Sequence, residues 1–276
     1  MAGARDPREE EVDPIEPDFT IPEDAGEGEA LYMLTLVTLL EMFYLEFKDL
    51  PPDEVLETVD QRCDQLYDDI ATVIGAMLIS IGVIGAAAAI EDILWALDTT
   101  PISGGGYTTR RAEFAKQIER MIRVDLESIT TEQGYTARAI VEEIRNDLRT
   151  SAYFILQRLE KEPKAQIKLG NIIKRAVDRI KRMSTYGAMG AFNQAKTDYF
   201  TTVFTIETEY EWITKMDGKV CPICMFFEEN NPYTMETLPP CPYHLWCRCT
   251  YRPTTKFSFT KIIEDMIMEV FGWKAT

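Results

Sequence analysis

Histidine occurs once in the 276 residues. That scarcity leaves almost no room for catalytic histidine dyads and triads, and none for a His-rich metal site. Basic residues are also few, 29 against 46 acidic, for a net charge of -17 and a pI near 4.6. Such a balance argues against a chain that coats nucleic acid with its whole surface. A secretory signal is lacking: the opening MAGARDPREEEVDP is acidic and proline-rich rather than basic and then apolar. A disulfide framework is therefore not expected, and no internal repeat is visible. What remains is 46% hydrophobic and 27% charged residues, the composition of a soluble globular chain with a core, in one large domain or two small ones.

The charge is segregated. Residues 1–30 carry a net -9, residues 31–107 a net -11, residues 108–182 a net +6 and residues 183–276 a net -3. An acidic N-terminal half thus meets a basic middle. Residues 1–30 hold four prolines and few large apolar groups, too little to offset the entropy of ordering, so they read as an acidic disordered tail.

Residues 28–49 are apolar around much of a helical circumference, which suits a helix buried on several sides or docked on a partner. Pro51 and Pro52 stop it, and Asp53 and Glu54 open the next helix, expected from about Asp53 to Leu97. Inside that helix, Ile70 to Ile90 is a 21-residue run without a charge, long enough to span a bilayer. Acidic flanks (Asp68, Asp69, Glu91, Asp92) and small residues at Gly75, Ser80, Gly82, Gly85 and Ala86 favour a closely packed core helix instead. Thr99 to Gly106 reads as a hinge. Further helices are expected over about 108–130, 135–161 and 165–200. In the last of these Ile172, Ile173, Ala176, Ile180 and Met183 trace an apolar stripe. Lys164, Lys168, Arg175, Arg179 and Arg182 lie on a basic face, within a basic stretch over residues 158–182. From Val203 the pattern changes to period two, Asp217-Gly218 signals a hairpin turn, and KVCPIC reads as the return strand. Ser258 to Gly272 reads as a short amphipathic terminal helix.

Five of the six cysteines and the one histidine crowd into a 29-residue stretch: Cys221-x2-Cys224, then Cys241-x2-His244-x2-Cys247-x-Cys249. A tetrahedral zinc ion takes four sulfur or nitrogen ligands, and a pair spaced two residues apart at a turn supplies half of them. Cys221, Cys224, His244 and Cys247 are the expected ligands, with Cys249 and Cys241 as alternates. Cys63, far away in sequence, reads as a small buried hydrophobe. A dithiol redox site at Cys221–Cys224 would require a helix start in a βαβ unit, and neither is expected here. A closed four-ligand site has no open position, so the expectation is a structural zinc and no enzyme activity. The fold expected is mostly α with a small β module: an acidic tail (1–30), a helical domain (31–200), a zinc-ribbon-like β hairpin module (201–256) and a terminal helix (257–276).

Trp212-x-Thr214-x2-Asp217-Gly218-x-Val220-Cys221-Pro222-x-Cys224, followed by Pro240-x-Pro242-x-His244-x2-Cys247-Arg248-Cys249, resembles the C-terminal signature of the phage Mu F-like head morphogenesis proteins. These are minor head (minor capsid) proteins of tailed viruses. The match covers the C-terminal third, and the rest shares only helical character. Leu245-Trp246 stands where the family usually has proline after the histidine, and Cys241 is additional. The resemblance implies a virion protein, present in multiple copies per head, built in near the portal vertex and acting in head assembly in the host cytoplasm. Its implied partners are the portal protein, and also the major capsid protein or packaged DNA through residues 158–182. Two other readings are weighed against it. A zinc-ribbon nucleic-acid-binding protein is disfavoured because residues 201–256 carry seven acids against five bases. A membrane protein spanning with residues 70–90 is disfavoured by the acidic flanks.

Overall fold

A computed structural model describes residues 27–99, 107–158, 168–215 and 220–272. Most of the tail (1–26), most of the hinge (100–106), the 159–167 part of the basic stretch and the Asp217-Gly218 turn lie outside the described residues. The chain is mostly helical, with a small three-stranded antiparallel sheet near the C-terminus. In order the elements are α1 (Glu27–Phe47), α2 (Pro52–Thr99), α3 (Tyr107–Met121), α4 (Glu127–Arg158), α5 (Leu169–Val203), β1 (Glu209–Ile213), α6 (Pro222–Glu229), β2 (Tyr233–Thr234), β3 (Thr250–Pro253) and α7 (Lys261–Phe271).

Three boundaries differ from expectation, the last of them at α7. The helix expected over 108–130 ends at Met121, and a new one starts at Glu127. The physical cause is Asp125. Its carboxylate accepts from the Glu127 amide at 3.0 Å, so it opens α4, and its own amide donates to Asp198 Oδ2 at 2.8 Å. The second difference is KVCPIC, which is not a return strand: Cys221 caps α6, with Pro222 in the first turn. Proline in the first turn and a side-chain acceptor before it are helix-start signals, and here they outweigh the period-two pattern.

Contacts divide the chain into two compact units, and α2, α4 and α5 each contribute to both. The first takes α1, α2 through Val73, α4 from Tyr135 and α5 through Lys181. Its buried positions recur every three to four residues: Val55, Val59, Cys63, Leu66 and Ile70 on α2, then Ile140, Val141, Ile144 and Leu148 on α4. Burial pushes the Cys63 thiol up to about 11, as suits a packing residue. Polar edges are joined by ion pairs: Arg62 with Glu46, Arg145 with Asp64, Arg149 with Asp60. On the basic stretch, Arg175 pairs with Asp147 and Arg179 with Glu143.

The second unit takes α2 from Ile74, α3, the start of α4, α5 from Arg182 and everything after it. Its core joins Ala89, Ile93 and Leu97 of α2, Phe114 and Ile118 of α3, Phe200 and Val203 of α5, Tyr210 of β1, Tyr251 of β3 and Ile263, Ile267 and Phe271 of α7. The small residues of the uncharged run have differing roles. A Cβ on Gly85 would stand 2.4 Å from the Phe192 carbonyl oxygen, so α2 and α5 pack with backbone in contact there, whereas Gly75 faces open space. Gly85→Ala should therefore lower stability by about 1–3 kcal/mol, and Gly75→Ala should be neutral or stabilising. Equilibrium unfolding of the two variants checks this, and equal midpoints would contradict the close approach.

α7 begins at Lys261, not at Ser258, because Ser258 and Phe259 are held in extended pairing with residues 204–208. Thr260 precedes the helix without a side-chain capping bond, Gly272 ends it in the left-handed conformation (φ 67) as expected, and Ile263, Ile267 and Phe271 face inward. In the sheet, order β2-β1-β3, β1 is central. Tyr210 lies opposite Tyr233 on one side and Pro253 on the other, while Trp212 lies opposite Tyr251. Tyr210 and Trp212 point inward and are fully buried, which is the period-two pattern realised over 209–213.

Candidate metal centre

The centre is assembled from two short segments held on β1 and α5. The first is the start of α6. Cys221 has extended backbone (φ -75, ψ 154), and its Sγ accepts from the Cys224 amide at 3.3 Å. One helical turn then places Cys224 beside Cys221. The second segment is the loop before β3. The Cys247 amide donates to the His244 carbonyl at 3.0 Å, a tight turn that brings those two residues to the same side. Within it Trp246 adopts φ 68, a region that costs a bulky side chain free energy and that surrounding structure must impose.

His244 Nε2 lies 3.0 Å from Cys221 Sγ and 3.2 Å from Cys224 Sγ, and Cys224 Sγ lies 3.9 Å from Cys247 Sγ. The imidazole Nδ1 donates to the Leu245 carbonyl at 2.6 Å, which leaves the Nε2 lone pair facing the sulfurs. A second-sphere hydrogen bond of this kind fixes the tautomer a ligating histidine needs. Cys221, Cys224 and His244 form one group able to hold a metal ion, and Cys224, Cys247 and Cys249 form another. All four expected ligands and the alternate Cys249 therefore enter one or other group. Cys241 enters neither: its thiol donates to the Cys249 carbonyl at 2.9 Å. Cys63 belongs to the first unit and takes no part. The cluster, on a small antiparallel sheet, is compatible with a zinc-ribbon-like module.

The electrostatics favour a cation. The neighbouring Cys241 and Cys249 thiols draw the Cys247 thiol well below its usual range. Burial acts against ionisation at Cys221, but the Cys224 amide and thiol, His244 and the Ile223 amide together outweigh it and lower that thiol as well. Burial opposes a charge on His244 too. The Leu245 carbonyl and the Cys221 sulfur overcome it and raise the imidazole. Without a cation, burial pushes Cys224 up to about 12. A cavity of about 20 Å³ lies among Cys221, Cys224, His244, Cys247 and Cys249, bordered by Val220, Lys215, Trp246 and Arg248. That is room for a single small occupant and not for an organic substrate.

Several supporting residues carried no signal in the sequence. Asn193 of α5 is buried. Its Nδ2 donates to the Cys249 carbonyl at 3.1 Å and to Cys241 Sγ at 3.3 Å, while its Oδ1 accepts from Thr250 Oγ1 at 2.8 Å. Asn231 replaces a strand partner: its Oδ1 accepts from the Trp212 amide at 2.6 Å, and its Nδ2 donates to the Trp212 carbonyl at 2.9 Å. Glu228 accepts from the Thr214 amide at 3.1 Å and from its hydroxyl at 2.7 Å. Trp212 itself packs on Cys224, Cys247 and Cys249, with Phe227 edge-on at 5.2 Å. The helix beginning at Pro222 also corrects one ground used against a dithiol site. A helix start is present; among the described residues the βαβ unit is not, since β1 runs antiparallel to both neighbours. No family model, curated protein or solved structure matches the chain.

Proposed function

We propose that this chain is a structural minor head protein of a tailed virus, acting in head assembly at or near the portal vertex, with zinc as its structural metal. The observation that carries the reading is convergence. Trp212, Cys221, Cys224, His244, Cys247 and Cys249, the residues through which the sequence resembles the head morphogenesis family, meet in one small centre. Zinc is favoured over calcium or magnesium because every donor is a thiol or an imidazole. A non-enzymatic role is favoured because protein donors outnumber the positions of one ion and the cavity has no space for a substrate.

Docking onto a portal ring needs apolar surface outside the cores. In the first unit α1 exposes Leu31, Leu34, Met42 and Leu45, and in the second α2 exposes Ile79, Val83 and Ile84. Protein contact is favoured over DNA contact, because Arg175 and Arg179 of the basic stretch are already ion-paired within their own unit. Co-expression with the portal protein of its own genome tests the proposal. The expected result is co-migration with the ring on size exclusion and slowed hydrogen exchange within residues 28–97. A chain that joins neither rings nor procapsids would refute it.

A membrane-associated role is the second reading. α2 is long and apolar enough to cross a bilayer, and 39% of its most apolar window is buried within the fold. Recovery of the protein only with detergent would favour that reading over the first.

A further inference from the structure

α1 is apolar on two faces and buries one of them. Met33, Leu36, Leu40, Phe43 and Phe47 are buried in the first unit. Leu31, Leu34, Met42 and Leu45 are 51–63% exposed. With Thr38 between them, these residues are spaced three or four apart and form one stripe along the helix. The Thr38 hydroxyl donates to the Leu34 carbonyl at 2.8 Å, so it can leave water at little cost. From Leu31 to Leu45 the stripe is about 21 Å long.

The second unit holds an apolar groove of matching length. It runs between α2 and α3, is open to solvent and has a volume of about 750 Å³. Small residues leave the room: Gly82, Ala86 and Ala87 of α2 line it, as do Ala112 and Ala115 of α3. Ile79 and Val83 on its wall are more than half exposed. Along α2 it extends from Ile79 to Leu94, about 22 Å. Stripe and groove differ in the charge around them. α1 carries four glutamates and no lysine or arginine, whereas α3 carries Arg110, Arg111, Lys116 and Arg120 against two acids. Of the charges that line the groove, Arg111 and Glu91 stand 4.0 Å apart, and Lys116 and Glu119 complete the set. Lys116, and Glu41 beside the α1 stripe, have no ion pair among the described residues.

We propose that the groove between α2 and α3 takes the exposed face of α1 from a second copy of the chain, as an amphipathic helix lies in an apolar groove. The two surfaces agree in length, are both apolar, and belong to an acidic helix and a basic one. A bilayer would have to accept Glu91, Arg111, Lys116 and Glu119 together with the apolar lining. The donated face and the receiving groove are different surfaces, so the contact is heterologous. Copies join head to tail, and the chain of copies closes into a ring where the rotation allows. This contact goes beyond the head-protein reading and does not depend on it. Ile84 and Trp95 of α2 are exposed outside the groove and stay open to another partner.

The test is sedimentation of the full chain over a hundredfold range of concentration reaching into the micromolar. The wild type should gain mass beyond the monomer as concentration rises. A wild type that stays monomeric overturns the contact, whether the groove then takes a portal helix or a bilayer, and leaves the portal-docking reading standing. Two variants separate the halves of the contact. Leu34→Glu with Leu45→Glu removes the donated face, and Ile79→Glu with Val83→Glu fills the groove with acid. All four positions are at least half exposed, so each variant should keep the helical circular dichroism and melting midpoint of the wild type. Each alone should be monomeric. Mixed in equal amounts they should form a heterodimer and nothing larger, because each retains the half that the other lacks. Assembly of either variant alone, or a mixture that stays monomeric, overturns the head-to-tail contact.

Discussion

Chelating the metal, or replacing Cys224 with serine, is expected to dissolve α6 and the 240–249 loop while leaving the helical cores in place. The reason is the small apolar content of this region. Its buried cluster is Trp212 with Cys224, Cys247 and Cys249, so three of its four members are themselves candidate ligands. Burying one large aromatic side chain contributes about 1.5–3 kcal/mol. A structural zinc ion contributes about 10–16 kcal/mol in small domains built around it. An ion of that kind held here would therefore stabilise this region far more than its apolar packing does. The damage should stop at Tyr210 and Tyr251, which pack with Phe200 of α5 in the second unit's main core. Hydrogen exchange reads the difference. The Met225 and Asn230 amides, bonded within and at the end of α6, should lose protection on chelation, while the Phe204 amide, bonded to Phe200, should keep it. Unchanged protection at Met225 would contradict the metal's structural role. Cys221→Ser separates ligation from capping, because serine is itself a good helix cap. If capping were all that Cys221 does, this variant would behave as wild type; as a lost ligand it should resemble Cys224→Ser.

The long helices were legible because their cores repeat. Val55, Val59, Cys63, Leu66 and Ile70 follow one face of α2 without interruption, and any reading for a 3.6-residue period finds them. The end signals at Pro52 and Gly272 were local chemistry and were equally plain. The centre was legible as a cluster, because five thiols and the sole imidazole cannot be close in sequence without notice. Its scaffold was not. Asn193 lies far from the loop it holds, Asn231 acts as a strand in place of backbone, and neither asparagine differs in sequence from a surface one. The KVCPIC segment failed for a different reason. Its alternating pattern is too short to distinguish a strand from the first turn of a helix, and the deciding atom is the Cys221 sulfur that accepts from the Cys224 amide. Strand pairing was beyond reach for the same reason: β1 pairs with residues 233–234 and 250–253, and two-residue and four-residue strands carry almost no periodic signal.

The second large effect is expected at a site the sequence did not mark. Lys196 of α5 has a side chain only 5% exposed, and its Nζ stands 2.7 Å from Asp92 Oδ2 of α2. The ammonium also faces the rings of Phe200 at 5.4 Å, Phe192 at 5.7 Å and Tyr251 at 5.9 Å, whose π faces attract a cation. Burial nevertheless holds the Lys196 ammonium below the usual lysine range, with Asp92 opposing the shift. Asp92→Ala removes the one carboxylate paired with this cation in the second unit's interior and should cost about 3–5 kcal/mol, the range for breaking a buried pair from one side. Replacing both partners, Asp92→Leu with Lys196→Met, should recover most of that loss, since no charge is then left in an apolar setting. The pH dependence has a definite sign. A lysine whose folded pKa lies below its unfolded value binds fewer protons folded than unfolded, so stability rises with pH between the two values. Losing Asp92 removes a group that raises the folded value and so widens that interval. Urea unfolding from pH 7 to 10 should therefore show Asp92→Ala regaining stability relative to wild type as pH increases, while the double variant shows no such gain. A loss that stays constant across that range would mean that Asp92 contributes packing rather than charge.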